Sequence, residues 1–254
     1  MIFSKKFHIN LSNMNNKIKQ VVILSGGKGT RMREMTESLP KPMVPIGGIP
    51  VLEHLMNIFN RFDEFEFIFS TGYKSEIIEE YFKGKKNIRI VNTGEETPTG
   101  GRVFRLSEYL DEEFIVTYGD GLANVNIGKL ISHHKKHTNL ATITVANPIS
   151  RFGLVEFDEK YIVKNFVEKP RLKNVNINIG FFVFKKDVIA YLNKDSTLET
   201  TPLRKLSEES KLSAFVHNGY FEPMDTYREY IQLNEYWETG NPPWLDFKNV
   251  DNVD

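Results

Sequence analysis

The chain has 254 residues, its 33 basic side chains balance 33 acidic ones, and it contains no cysteine. This length buries a large core in one large domain or two small ones, and 40% hydrophobic residues is ordinary for a globular protein. The missing cysteines exclude a disulfide scaffold and a cysteine zinc site, the even charge leaves no electrostatic footprint for nucleic acid, and no apolar run approaches the ~20 residues of a membrane span.

Residues 1–17 are polar and patternless, with Lys5, Lys6 and several asparagines. They lack the apolar stretch of a secretory signal and read as a flexible extension. Residues 20–25 form a β-branched run without alternation, the pattern of a strand covered on both faces. The cluster Gly26-Gly27-Lys28-Gly29 follows at once. Residues 51–61 predict a helix with Leu52, Leu55, Met56 and Phe59 on one face. A strand is expected at 65–71, with Phe65, Phe67 and Phe69 facing the core. A helix at 75–82, a strand at 87–91, a helix at 103–110 and a strand at 113–118 come next. That last strand runs into Gly119-Asp120-Gly121. A helix at 126–137 and a strand at 141–147 complete an alternation that predicts an α/β, doubly wound, mostly parallel sheet.

After Phe152 the pattern changes to short alternating runs at 153–157, 162–168 and 177–184. These predict a smaller antiparallel sheet beside the first, on the substrate side. Helices are expected at 187–192, 201–209 and 227–238, the last closed by Pro242-Pro243. The expected organisation is one domain over 18–245, with halves at 18–150 and 151–245 and a frayed tail at 246–254. His133, His134 and His137 have metal-compatible spacing, but they flank Lys135 and Lys136 and read as a solvated helix face. Trp237 and Trp244 read as packing for the terminal helix.

The segment Leu24-Ser25-Gly26-Gly27-Lys28-Gly29-Thr30-Arg31 leaves a buried strand and turns sharply, so its backbone N–H groups can face phosphate oxygens. It is not a P-loop, because no Gly-Lys-Ser/Thr triplet is present. It also fails the dinucleotide fingerprint, since Thr30, Arg31 and Met32 follow Gly27-x-Gly29 with no final small residue. Arg31 supplies a permanent positive charge. In Pro40-Lys41-Pro42 the prolines hold Lys41 in an extended segment, as a point charge aimed at phosphate. Asp120 follows a buried strand at the carboxyl end of the sheet, where open α/β folds bind ligands. Its residue type suits Mg²⁺, which takes one or two carboxylates plus phosphates and water. It also suits a simple turn before glycine. Asp225 precedes a predicted helix and is equally readable as an N-cap.

The G-G-x-G-T-R loop followed by P-K-P resembles the sugar-1-phosphate nucleotidyltransferases. Arg151-Phe152-Gly153, Phe166-Val167-Glu168-Lys169-Pro170, Met224-Asp225-Thr226 and the segment from Trp237 to Trp244 are most similar to the glucose-1-phosphate cytidylyltransferase branch. The likeness runs from about Lys19 to Trp244 and implies a Rossmann-like, GT-A-like fold. It places Leu24, Gly26, Gly27, Gly29 and Thr30 along the nucleotide, with Arg31 and Lys41 on its phosphates as the catalytic cations. Thr97 and Arg102 match further nucleotide positions, and Gly119 lies beside the metal site. Asp120 and Asp225 would hold Mg²⁺. Glu168 and Lys169 would face the sugar phosphate, and Asn178 the sugar. The implied substrates are CTP and a sugar 1-phosphate, in a cytoplasmic enzyme that can form a homo-oligomer, with no nucleic-acid or membrane partner. Leu39, Pro45, Ile179 and Phe221 depart from the branch pattern near the sugar side, which leaves the acceptor open. GTP or UTP as the nucleotide, a non-catalytic nucleotide-binding subunit and a Rossmann oxidoreductase are the competing readings.

Overall fold

The computed structural model describes residues 17–247, so most of the expected N-terminal extension and the end of the tail lie outside the described residues. The chain begins with β1 (Gln20–Leu24), whose glycine loop leads into α1 (Arg33–Thr36) and a small hairpin of β2 (Pro45–Ile46) and β3 (Ile49–Pro50). Next come α2 (Val51–Asn60), β4 (Glu66–Thr71), α3 (Ser75–Phe82), β5 (Ile88–Asn92), α4 (Thr99–Arg105) and β6 (Glu113–Tyr118). They are followed by β7 (Gly121–Ala123), α5 (Ile127–Lys136), β8 (Ala141–Ala146), and a hairpin of β9 (Leu154–Phe157) and β10 (Val163–Val167). β11 (Ile177–Lys185), α6 (Thr201–Glu208), β12 (Leu212–Val216), β13 (Phe221–Pro223) and α7 (Tyr227–Glu238) complete the order.

Seven strands form the central sheet in the order β12-β8-β11-β6-β1-β4-β5. β1 is parallel to both β4 and β6, β4 to β5, and β8 to β12. The fold is thus the expected α/β, mostly parallel sheet. One strand lies elsewhere than predicted. β11 does not sit beside the sheet but enters it, antiparallel, between β6 and β8. Phe181, Phe182, Val183 and Phe184 are all fully buried. An apolar run on both faces of a strand needs cover on both sides, which only a central position provides. The remaining pair, β9 and β10, forms the separate antiparallel ribbon.

Alternate side chains feed two cores, one on each sheet face. Ile23, Phe67, Phe69 and Phe181 pack with Phe59 of α2 on one face, and Val22, Ile68, Phe114 and Phe182 on the other. Phe65, Phe67 and Phe69 are buried as expected. Trp237 and Trp244 meet His54 of α2 edge-on, at 4.9 and 5.6 Å between ring centres, and so dock the C-terminal segment. Asp246 and Phe247, expected in the frayed tail, are anchored: Asp246 O accepts from Asn124, and Phe247 packs on Phe62.

Two local readings change. The helix expected at 103–110 is α4, which begins earlier and is followed by a 3-10 turn at Ser107–Tyr109. Glycine disfavours a helix, but a Cβ on Gly101 would come within 2.2 Å of the Lys194 carbonyl. Close packing against that loop overrides propensity. His134, expected on a solvated face, is fully buried. Its Nδ1 shares a 2.8 Å hydrogen bond with Thr142 Oγ1, which in turn bonds Ser213.

Burial, helped by Lys185 and the neighbouring cations, pushes the His134 imidazole down to about 4. Glu113 lies 3.7 Å from Nε2, beyond hydrogen-bond distance, and does not offset this. The fold therefore keeps the ring neutral while the unfolded chain takes a proton near its ordinary value. The resulting stability is complete above about pH 6.5 and declines as pH falls toward 4. Acidifying from pH 7.5 to 5 is expected to remove roughly 1–2 kcal/mol through this residue. Urea unfolding of wild type and His134→Gln at both pH values checks it: the variant should show the smaller loss.

Candidate active site

The loops at the carboxyl ends of β1, β4 and β6 meet at the edge where open α/β sheets bind ligands. Leu24 O accepts a hydrogen bond from Gly119 N at 3.1 Å, and Gly26 O accepts from Tyr73 N at 3.1 Å. This stitches the glycine loop to its neighbours. Gly29 has φ 62°, in the left-handed region, and a Cβ there would come within 2.9 Å of Lys41 Cβ. Only glycine lets the turn and the Pro40-Lys41-Pro42 segment pass this closely. The extended conformation expected at Lys41 belongs to Pro40 instead, and Lys41 itself opens a 3-10 turn. Pro42 is tolerated there because it falls in the first turn.

The side chain of Lys41 runs inward from this turn and is largely buried. Its Nζ donates to Asp120 Oδ2 at 2.6 Å and to Asp225 Oδ1 at 2.7 Å. Arg31 NH1 donates to the other Asp225 oxygen at 2.8 Å. Four of the residues singled out in the sequence thus form one charged group. Burial pulls the Lys41 ammonium down, but Asp120 and Asp225 outweigh it and leave its pKa above the ordinary lysine value. Asp225 is raised by burial, yet Lys41 and Arg31 bring it below the ordinary carboxylate range.

The short β7–β13 ribbon makes this meeting possible. Pro223 pairs with Gly121, and Met224 N donates to Asp120 O at 2.9 Å, which places Asp225 beside Asp120. Asp225 is not the cap of α7. Thr226 is, in a capping box with Glu229. Glu229 Oε2 also accepts from Asp225 N at 2.7 Å, which leaves the Asp225 carboxylate free for the cations.

Arg102 lies beneath the glycine loop, only 4% exposed. It donates to Thr71 O, Thr93 Oγ1 and Glu95 O, all uncharged oxygens. Burial, then Arg105, pulls its pKa to about 10. Thr97 is buried on the same wall and donates to Thr93 O at 2.6 Å. A Cβ on Gly26 would fall 1.8 Å from Arg102 NH1, and that guanidinium is held at three points. Gly26→Ala is therefore expected to cost roughly 1–3 kcal/mol of stability by overpacking and to weaken nucleotide binding. Thermal melts with and without CTP check both, and an unchanged melt with full CTP stabilisation would contradict the close contact.

Gly27, Thr30 and Arg31 are exposed at the mouth. Glu168 and Lys169 are exposed at the foot of the β9–β10 ribbon, paired at 3.5 Å, and are not in contact with the charged group. Asn178 Oδ1 accepts from Gly180 N at 3.0 Å. Leu39 and Pro45, two of the departing positions, line an apolar surface groove of about 570 Å³ with Met43, Pro50, Ile77 and Tyr81. Three residues beside the site were given no role in the sequence reading. Lys28 bridges to Glu95 at 2.9 Å and to Glu96, closing the glycine loop onto the β5–α4 loop. Arg151 reaches from the ribbon to within 3.8 Å of Glu229. Glu229 itself was legible as the fourth residue of a Thr-x-x-Glu capping pattern.

Cations and carboxylates interleave at the carboxyl edge of a mostly parallel sheet, the edge at which open α/β folds bind ligands. Residues 20–247 match the family model described as Nucleotidyl transferase, and the chain belongs to that family. It is 39% identical over 253 residues to the glucose-1-phosphate cytidylyltransferase of Salmonella typhi, covering 89% of this chain and 98% of that protein. The identity is 38%, with the same coverage, to the probable glucose-1-phosphate cytidylyltransferase of Bacillus subtilis strain 168. The crystal structure of HddC from Yersinia pseudotuberculosis complexed with GMP-PN superposes with a TM-score of 0.66 at 27% identity, covering 87% of this chain and all of that one.

Proposed function

We propose that this chain transfers CMP from CTP to a sugar 1-phosphate, a hexose such as glucose, giving a CDP-sugar and pyrophosphate. The observation that carries the proposal is the convergence of Arg31, Lys41, Asp120 and Asp225 in a chain similar over its length to cytidylyltransferases. A phosphate oxygen of the sugar 1-phosphate forms a bond to the α-phosphorus as the bond to the bridging α–β oxygen breaks. That oxygen departs with the electron pair on pyrophosphate. The attacking oxygen is already ionised, so no protein nucleophile or general base is needed. The catalytic task is to hold two polyanions in line and neutralise them.

Arg31 and Lys41 supply fixed positive charge to the triphosphate and the leaving pyrophosphate. Leu24, Gly26, Gly27, Gly29 and Thr30 line the nucleotide, Thr97 and Arg102 form its inner wall, and Gly119 lies beside the metal site. Glu168 and Lys169 face the sugar phosphate, and Asn178 the sugar. Two carboxylates sharing one cation present the hard oxygen donors that Mg²⁺ takes alongside phosphates, so Asp120 and Asp225 would hold it. Mg²⁺ held there would supply further charge neutralisation on the phosphates.

The β9–β10 ribbon exposes Phe152, Phe157, Tyr161 and Phe166, more apolar surface than an isolated two-stranded ribbon sustains, which supports a homo-oligomer. Among the described residues no helix is long and apolar enough to cross a membrane, and the chain's thiol-free chemistry suits the cytoplasm. The test is pyrophosphate release with Mg²⁺ for CTP, GTP, UTP and ATP against several sugar 1-phosphates. CTP should give the highest kcat/KM. Preference for GTP would move the chain to a guanylyltransferase, and release with no sugar phosphate would defeat the proposal.

A further inference from the structure

Lys41 is placed where a divalent cation would also have to be. Its ammonium hydrogen-bonds one oxygen from each of Asp120 and Asp225, at 2.6 and 2.7 Å. Arg31 occupies only the outer Asp225 oxygen and is itself mostly exposed. Glu229 fixes the Asp225 backbone, and Met224 N fixes the Asp120 carbonyl, so the two aspartates are held at neighbouring backbone positions with their carboxylates converging on Lys41. Lys41 is nearly enclosed, and its backbone is set by the flanking prolines and the close passage past Gly29. The group is therefore built, with a lysine as its resident cation.

We propose that Lys41 and the divalent cation compete for the Asp120–Asp225 pair, so that the protein takes up metal tightly only when a nucleotide triphosphate draws Lys41 off the carboxylates. This rests on the transfer reading given above and adds an order to it. An ammonium and a divalent ion cannot share two carboxylates without close cationic repulsion. The triphosphate is the anion that gives Lys41 somewhere else to go. Nucleotide and metal then raise each other's affinity by the same factor, beyond what direct metal–phosphate contact contributes. The same lysine stabilises the pair of carboxylates at rest and the phosphates during transfer.

The test is Mn²⁺ binding to nucleotide-free protein, followed by the electron paramagnetic resonance signal of free Mn²⁺. Lys41→Met should bind Mn²⁺ at least about tenfold more tightly than wild type. Adding Asp225→Asn to that variant should remove the gain, and Lys41→Arg should stay weak. Equal affinity for wild type and a folded Lys41→Met would overturn the competition. The wild-type chain gives a second readout that does not depend on any variant folding. Saturating Mn²⁺ should raise amine labelling of Lys41, read by peptide mapping, and unchanged labelling would overturn the proposal equally. Failure of pyrophosphate release with every nucleotide would defeat the transfer reading while leaving the Mn²⁺ result to stand or fall by itself.

Discussion

Lys41→Ala is expected to lower kcat/KM for pyrophosphate release by about a thousandfold or more, the loss of roughly 4 kcal/mol of transition-state stabilisation. Among the described residues the side chain carries the one cation that contacts both Asp120 and Asp225, and in the proposed reaction it faces the phosphates on which negative charge accumulates. Water cannot take over this role, because a preorganised charge in an enclosed site needs no reorganisation as the bond breaks. The variant also leaves two partly buried carboxylates facing each other. A stability loss of roughly 1–3 kcal/mol is expected, below that of a fully buried pair because both aspartates keep some solvent contact. Activity should therefore be measured below the variant's own melting point, with circular dichroism showing the fold intact. A folded Lys41→Ala with near wild-type turnover would remove Lys41 from the chemistry.

Asp120→Ala should be nearly as severe, with a loss of at least about a hundredfold. Asp120 stands at the end of β6, and its carbonyl accepts the Met224 N–H that fixes the approach of Asp225. The backbone contact survives the substitution, so the effect isolates the carboxylate. The variant should also require much more Mg²⁺ for half-maximal rate, because one of two protein donors is gone. Titrating Mg²⁺ at fixed CTP separates this from misfolding. A lowered kcat with an unchanged Mg²⁺ requirement would show that Asp120 serves only as the partner of Lys41.

Much of this was legible in the amino-acid order. The apolar run of β1, the glycine cluster after it and the period of α2 each have one physical solution, and the structure adopts it. Arg31, Lys41 and Asp120 each stand at a local constraint, a turn, two prolines and a strand end, but Asp120 read as well as a turn residue and Lys41 lies in a 3-10 turn rather than the expected extended segment. Asp225 is different. It lies 184 positions from Lys41, and only the pairing of β7 with β13, each three residues long, brings it in. Strands that short carry no readable period. β11 was recognised as a strand, but its place in the sheet depends on which neighbours cover its two apolar faces, a property of the whole fold. His134 was misread because charged neighbours dominate the end of its helix, while its burial beside Ile127 and Leu130 is fixed by Thr142 on β8.

The balanced charge of the chain has a local counterpart in the site. Lys28 pairs with Glu95 and Glu96, Arg31 and Lys41 with the two aspartates, and Lys169 with Glu168. In the proposed reaction Arg31, Lys41 and Lys169 would each leave a carboxylate for phosphate, so the cleft can concentrate positive groups without an excess of charge.

The most direct measurement follows the α-phosphorus itself. With CTP carrying ³²P at that position, glucose 1-phosphate and Mg²⁺, the label should appear in CDP-glucose, with one pyrophosphate released per sugar nucleotide formed and none of the label on the protein. Label that remains in CTP, or that becomes covalently attached to the chain, would contradict direct transfer at this site.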